Sequence, residues 1–221
     1  MKPKILISDK IHDSAIRKAQ EFADVTLKTD LTPQQLVEEI GGYDAIIVRS
    51  GTKVTREVIE AGNLKAVGRA GVGLDNVDQQ ACKEKDIKIF NSPEASTITV
   101  AEHAMGLLIA LARNITRGEA TLRKGLWERK KLGGVELYGK TCGIVGFGKI
   151  GREFARRAKA FGMEIICSDP VVSKEDAESA GAKLVPLEEL FKNADVISLH
   201  VPSIPQTKDM VNEKLISLMK P

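Results

Sequence analysis

Short apolar runs alternate with amphipathic stretches along the chain, and the spacing of apolar positions changes from one to the next. Ile5-Leu6-Ile7 and Val25-Thr26-Leu27 have the length and β-branched content of buried strands. Between and after them, Asp13 to Phe22 and Pro33 to Ile40 place apolar residues at helical spacing. The rhythm repeats: strand Ala45 to Val48, helix Thr55 to Ala61, strand Ala66-Val67, helix Asn76 to Lys85, strand Ile87 to Phe90. Such alternation predicts right-handed βαβ units around a parallel sheet.

Asn91-Ser92-Pro93 punctuates this series, and a long helical pattern from Ile98 to Arg113 follows, with Val100, Ala104, Leu107, Leu108 and Leu111 in register. The domain junction is therefore expected here, with residues 1–97 in one domain and 98–221 in the next. After a basic surface segment around Arg123 to Lys131, a second series begins with Cys142 to Val145 and a helix to about Phe161. Strand Met163 to Ser168, helix Glu175 to Ala180, strand Lys183 to Val185, helix Leu187 to Lys192 and strand Val196 to Leu199 complete it. The expected fold is α/β, with two doubly wound parallel-sheet domains.

The second series carries the clearest chemistry. Gly146-Phe147-Gly148-Lys149-Ile150-Gly151 follows a buried strand and opens a helix. In a dinucleotide site the first glycine makes the turn, the second admits the pyrophosphate to the backbone, and the third lets helix and strand pack closely. The unpaired N–H groups of the helix start then face the phosphates. Asp169 ends the next strand, at about the ~20-residue interval from which an acid reaches the adenosine ribose hydroxyls. The bland alternative is a glycine turn with a helix-capping aspartate. With strand, helix and acid all in place, the dinucleotide reading is preferred. Asp169 would repel a 2′-phosphate, and Pro170-Val171-Val172 supplies no arginine to hold one, so NAD is favoured over NADP, with Lys174 the nearest cation.

Composition narrows the rest. The chain is 43% hydrophobic and 29% charged, ordinary for a globular protein, and its 33 basic and 30 acidic residues give a net charge of +3. That balance argues for neither nucleic acid nor membrane as a partner. The apolar stretch Ala104 to Ala112 falls far short of a membrane span. Cys82, Cys142 and Cys167 lack paired spacing for a metal or redox site and are expected as core thiols, which with no signal-peptide core at the N-terminus points to the cytoplasm.

Four segments together resemble the D-2-hydroxyacid dehydrogenases over essentially the whole chain. They are Ile47 to Val54, Val67 to Asp78, Trp127-Glu128-Arg129-Lys130-Lys131 and the glycine motif. The resemblance implies a flavodoxin-like substrate domain, a Rossmann coenzyme domain and a cleft between them. The substrate would meet Arg49, Ser50, Arg69, Gly71 and Val72, with the Gly71-Val72-Gly73 amides forming a nest for its carboxylate and the arginines offering forked donors. Val72, Gly146 to Gly151 and Asp169 would contact the cofactor, as would His200, Val201, Pro202 and Thr207. Many relatives carry threonine where Val201 stands. His103 is expected to pack or hydrogen-bond, and His12 has no motif around it.

The tryptophan-basic run and Arg49-Ser50-Gly51-Thr52-Lys53 resemble the branch that oxidises 3-phospho-D-glycerate to 3-phosphohydroxypyruvate at the start of serine synthesis. Another 2-hydroxy acid, or NAD binding without turnover, remains the alternative. The resemblance also implies a homodimer or higher homo-oligomer, built on the long helix and the tryptophan segment. Steering of a phosphorylated substrate by the basic run stands level with a plain solvated face. The family's catalytic arginine, glutamate and histidine belong to segments that would follow Pro221. No catalytic residue is therefore assigned within the 221, the second domain is expected to be incomplete, and the chain alone is expected not to turn over.

Overall fold

In the computed structural model, which describes residues 2–221, the chain divides into two compact units, Met1–Ser96 and Thr97–Pro221. The first runs β1 (Lys4–Ile7), α1 (Asp13–Gln20), β2 (Asp24–Leu27), α2 (Pro33–Glu39), β3 (Ala45–Val48), α3 (Arg56–Ala61), β4 (Ala66–Arg69), α4 (Gln79–Glu84) and β5 (Lys88–Asn91). Its strands pair in the order β2-β1-β3-β4-β5, all parallel, which is flavodoxin-like. Local chemistry sets the helix ends. Thr32 and Gln35 close a reciprocal capping box on α2, and Asp78 accepts from the Ala81 N–H to start α4 three residues later than the apolar pattern suggests. Leu6, Ile46, Val48 and Val67 point to one face of the sheet and pack with Leu36, Ile40, Ile59 and Cys82. Ile5, Ile7 and Ala23 form the core on the other face.

The second unit runs α5 (Thr97–Ala112), α6 (Ile115–Arg123), β6 (Thr141–Val145), α7 (Lys149–Ala160), β7 (Glu164–Ser168), α8 (Lys174–Ser179), β8 (Lys183–Leu184), α9 (Leu187–Asn193), β9 (Val196–Leu199) and α10 (Glu213–Ile216). The parallel order β8-β7-β6-β9 corresponds to strands 3-2-1-4 of a doubly wound dinucleotide fold, and its strand order reverses between β6 and β9. Cys142 and Ile144 pack under Phe154 and Ala158 of α7 and Ala101 and Met105 of α5. On the opposite face, Val145 meets Leu190, Phe191 and Leu215.

Two elements depart from the expected pattern. The basic segment is preceded by a full helix, α6, bent 66° from α5 at Asn114, which takes a left-handed conformation. Its apolar residues Ile115 and Leu122 are exposed, so no buried stripe announces it. The short α10 likewise carries a single buried residue, Leu215. All three cysteines are free and buried, and burial pushes the Cys142 thiol up to about 12 and Cys167 to about 11. Among the described residues, no single helix is long and apolar enough to cross a membrane.

Candidate functional site

The turn after β6 is shaped by close approaches of backbone to backbone. Gly146 has φ +88°, and a Cβ there would lie 2.4 Å from the His200 carbonyl oxygen. A Cβ on Gly151 would lie 2.2 Å from the carbonyl oxygen of Gly146. Gly148 is different: it is exposed, its φ of −75° suits any residue, and a Cβ on it would meet nothing within 4 Å. It is also the N-cap of α7 and offers no side chain to the amides of the first helical turn. An uncapped helix start beside open space is what a pyrophosphate requires, so the loop fits the dinucleotide.

Asp169 is tied into this loop from the end of β7. Its Oδ2 accepts the Phe147 N–H at 2.7 Å, and its Oδ1 accepts those of Val171 and Val172 at 2.9 and 3.2 Å. Burial works against ionisation, but these three amides and the nearby Arg152 charge outweigh it and hold the carboxyl below its usual range. Carboxylate oxygens keep lone pairs beyond these bonds for ribose hydroxyls. Arg152 was not singled out in the sequence, although it directly follows Gly151. Its Nε donates to the Phe147 carbonyl at 3.1 Å, its Nη1 to Asp176 at 3.3 Å, and its guanidinium lies 5.2 Å from the Phe147 ring centroid. Phe147 is wholly buried with its N–H spent on Asp169, so its role is to build the loop rather than to offer a donor to phosphate.

The segment after β9 closes the same edge of the sheet. His200 Nε2 lies 2.9 Å from Ser198 Oγ, the ring sits 5.2 Å from that of Phe154, and burial pushes its pKa down. Val201 stands beside the Gly146 turn. Pro202 is exposed, and Thr207 turns its hydroxyl back to the Pro202 carbonyl while accepting the Ile204 N–H at 3.1 Å. Thr207 therefore braces its own loop. Lys149 and Ile150 occupy the first turn of α7. His103, expected to pack or hydrogen-bond, is instead exposed on α5 and its side chain makes no hydrogen bond among the described residues, because its register puts it away from the buried Ala101, Met105 and Leu108.

In the first unit, the parallel register brings the remaining expected residues to the carboxyl edge of one sheet. Val48 of β3 pairs with Arg69 of β4, and Arg69 with Asn91 of β5. The Arg69 Nε is buried without a hydrogen-bond partner, and neither Arg49 nor Arg69 makes an ion pair among the described residues. The expected three-amide nest is narrower than its sequence suggests. Gly71 donates to the Arg69 carbonyl at 2.8 Å in a tight turn, which leaves Val72 and Gly73 as the amides making no hydrogen bond among the described residues. Asn91 fixes the turn by donating to the Val72 carbonyl at 2.7 Å. Asp9 and Asn76, also unforeseen, hold the backbone around Arg49 and Ser50. In the basic run, Arg123 pairs with Glu119 and Lys131 with Glu128, so part of its charge is neutralised locally.

Residues 105–221 match the family model described as D-isomer specific 2-hydroxyacid dehydrogenase, NAD binding domain. The chain is 52% identical over 219 residues to D-3-phosphoglycerate dehydrogenase of Methanocaldococcus jannaschii, covering 98% of this chain and 42% of that protein. It is 45% identical to hydroxypyruvate reductase of Thermotoga maritima, covering 98% of this chain and 71% of that protein. The solved structure of D-lactate dehydrogenase from Aquifex aeolicus, complexed with NAD and lactic acid, superposes with a TM-score of 0.86 at 32% identity, over 98% of this chain and 66% of that one. The first curated relatives are thus more than twice as long as this chain. Sequence, sheet order and the glycine loop agree: the chain belongs to the D-isomer specific 2-hydroxyacid dehydrogenase family, and its second half is that family's NAD-binding domain.

Proposed function

We propose that the chain serves an NAD-dependent dehydrogenase that oxidises 3-phospho-D-glycerate to 3-phosphohydroxypyruvate, the first step of serine synthesis, in the cytoplasm. Residues 1–97 act as the substrate domain and 98–221 as the coenzyme domain. The observation that carries the reading is the buried Arg69 Nε, without a hydrogen-bond partner among the described residues, in a guanidinium that lies over Gly71, with Arg49 and Ser50 at the same sheet edge. A buried donor without an acceptor is costly, and an anionic substrate supplies one. Bound NAD would take hydride from the substrate carbon. Gly146, Gly148, the first turn of α7 and Asp169 would hold it, and His200, Val201, Pro202 and Thr207 would line its nicotinamide side. The relatives named D-3-phosphoglycerate dehydrogenase support the phosphorylated substrate. The hydroxypyruvate reductase relative supports a second reading, an unphosphorylated 2-hydroxy acid.

Calorimetry on the NAD-saturated protein separates the two. We expect 3-phosphoglycerate to bind at least about tenfold more tightly than D-glycerate, a difference of ~1.4 kcal/mol, and Arg49→Gln to erase that preference. Equal affinities in the parent protein would favour the second reading.

The chain is also proposed to form a homodimer through α5, α6 and the segment after them. Leu107, Leu111, Ile115, Leu122 and Trp127 are 58%, 80%, 51%, 56% and 80% exposed in near succession, an apolar stripe that a monomer seldom leaves in water. A hollow of about 420 Å³ lined by Leu126, Trp127 and Leu132 lies along it. Leu111→Asp should convert the dimer to monomer in sedimentation without lowering NAD affinity. A parent protein that sediments as a monomer at high micromolar concentration would refute this interface.

A further inference from the structure

We propose that Asp9 and Asn76 act as a two-sided clamp on the backbone that carries Arg49 and Ser50, and that this clamp, rather than the loop's own conformational preference, aims the two side chains at the substrate's anionic group. The inference rests on the proposed role of Arg49 and Ser50 in substrate binding. It concerns positioning residues, not groups that touch substrate.

The geometry is reciprocal. Asp9 follows β1 and turns one oxygen, Oδ2, to the N–H groups of Arg49 at 2.6 Å and Thr52 at 3.0 Å. Asn76 approaches with its Nδ2, which donates to the carbonyls of the same two residues, each at 2.6 Å. The donor and the acceptor of both residues that bracket Ser50-Gly51 are thereby committed, and the exposed dipeptide becomes a tip held at both ends. Each partner has the chemistry its place needs. A carboxylate only accepts, so it satisfies two N–H groups, and its charge strengthens both bonds. A primary amide nitrogen has two donors to divide between two carbonyls.

Asn76 is itself anchored. It is 9% exposed, and its carbonyl accepts the Val54 N–H at 2.8 Å, next to the bridge between Val54 and Val77. Its Oδ1 is buried without a partner. Turning the amide over would set that oxygen against two carbonyl oxygens, so the observed orientation is the better of two imperfect ones. A fold that keeps an orphaned buried oxygen to place two donors here uses those donors. Gly51 completes the device, because a Cβ there would come within 2.5 Å of Asp9 Oδ1. The glycine at the tip is thus one that the clamp itself demands.

Three variants, Asp9→Ala, Asp9→Asn and Asn76→Asp, test this by amide hydrogen exchange at Arg49 and Thr52 and by titration with 3-phosphoglycerate and, separately, NAD. Asp9→Ala should expose both amides to exchange and weaken 3-phosphoglycerate binding about tenfold, while NAD affinity stays unchanged. Asp9→Asn keeps an oxygen for both N–H groups and should restore most of the protection and affinity. Asn76→Asp sets an acceptor against two carbonyls and should reproduce the Asp9→Ala pattern; if it does not fold, the two Asp9 variants decide. Unchanged 3-phosphoglycerate affinity in Asp9→Ala, or a loss shared equally with NAD, overturns the clamp. If the parent protein binds no 3-phosphoglycerate, the substrate reading falls. The clamp is then judged on exchange alone, where retained protection in Asp9→Ala overturns it.

Discussion

Gly148→Ala should leave melting unchanged and weaken NAD binding by at least about tenfold, whereas Gly151→Ala should unfold the loop's support before any cofactor is added. The difference lies in what each new methyl group meets. At Gly148 it enters open space, in a backbone region suited to alanine, and fills room a pyrophosphate needs. At Gly151 it would sit 2.2 Å from the Gly146 carbonyl oxygen, a contact no side-chain rotation relieves because both partners are backbone. Overpacking of this kind costs roughly 3 kcal/mol. For a chain of this size that is a fall of roughly 6–12 °C in melting temperature. Calorimetric melting and NAD titration of both variants would check the separation. Early melting of Gly148→Ala, or normal melting of Gly151→Ala, would show that the two glycines have been assigned the wrong tasks.

Asp169→Asn is expected to be severe although it changes almost no volume. Both carboxylate oxygens accept backbone N–H groups, so whichever way the new amide turns, its NH₂ must face at least one donor. The lost acceptor and the opposed donors should cost roughly 2 kcal/mol of stability and loosen the Phe147 turn. NAD affinity should fall about tenfold, while nicotinamide mononucleotide, which lacks the adenosine ribose, should bind the variant as it binds the parent. An equal loss for both ligands would demote Asp169 to a loop brace. The acid limb carries a second signature. The folded-state pKa of Asp169 lies below its ordinary 3.8, so its stabilisation is present above that value and fades as pH falls through the folded pKa. That part of the acid dependence should be missing in Asp169→Asn.

The strands and long helices were legible because each buries one face, and burial writes its period into the residues, as in Ile5-Leu6-Ile7 and in the Phe154, Ala155, Ala158 set of α7. The glycine loop was legible because close backbone approach excludes every other residue at Gly146 and Gly151. Helix α6 was not, since it exposes its apolar residues and so leaves no stripe to read. Nor were Asp9 and Asn76. Each is a lone polar residue whose partners lie 24 to 43 positions away in sequence, brought near only by the parallel register of β1, β3 and β4. Arg152 was overlooked for a related reason: its partners are the carbonyls of Phe147 and Asp176, and no sequence pattern marks a carbonyl. The narrowing of the Gly71 nest also depends on a local turn that two glycines permit but do not dictate.

The three buried thiols have a consequence for how this protein meets oxidants. Peroxide attack and disulfide exchange proceed through an accessible thiolate. Burial pushes the Cys142 thiol up to about 12 and that of Cys167 to about 11, and raises Cys82 as well, so in the folded state none of the three presents one near neutral pH. Sulfur chemistry on these residues becomes a measure of how often the folded chain opens, and a cell's changing redox poise would reach them only through that opening.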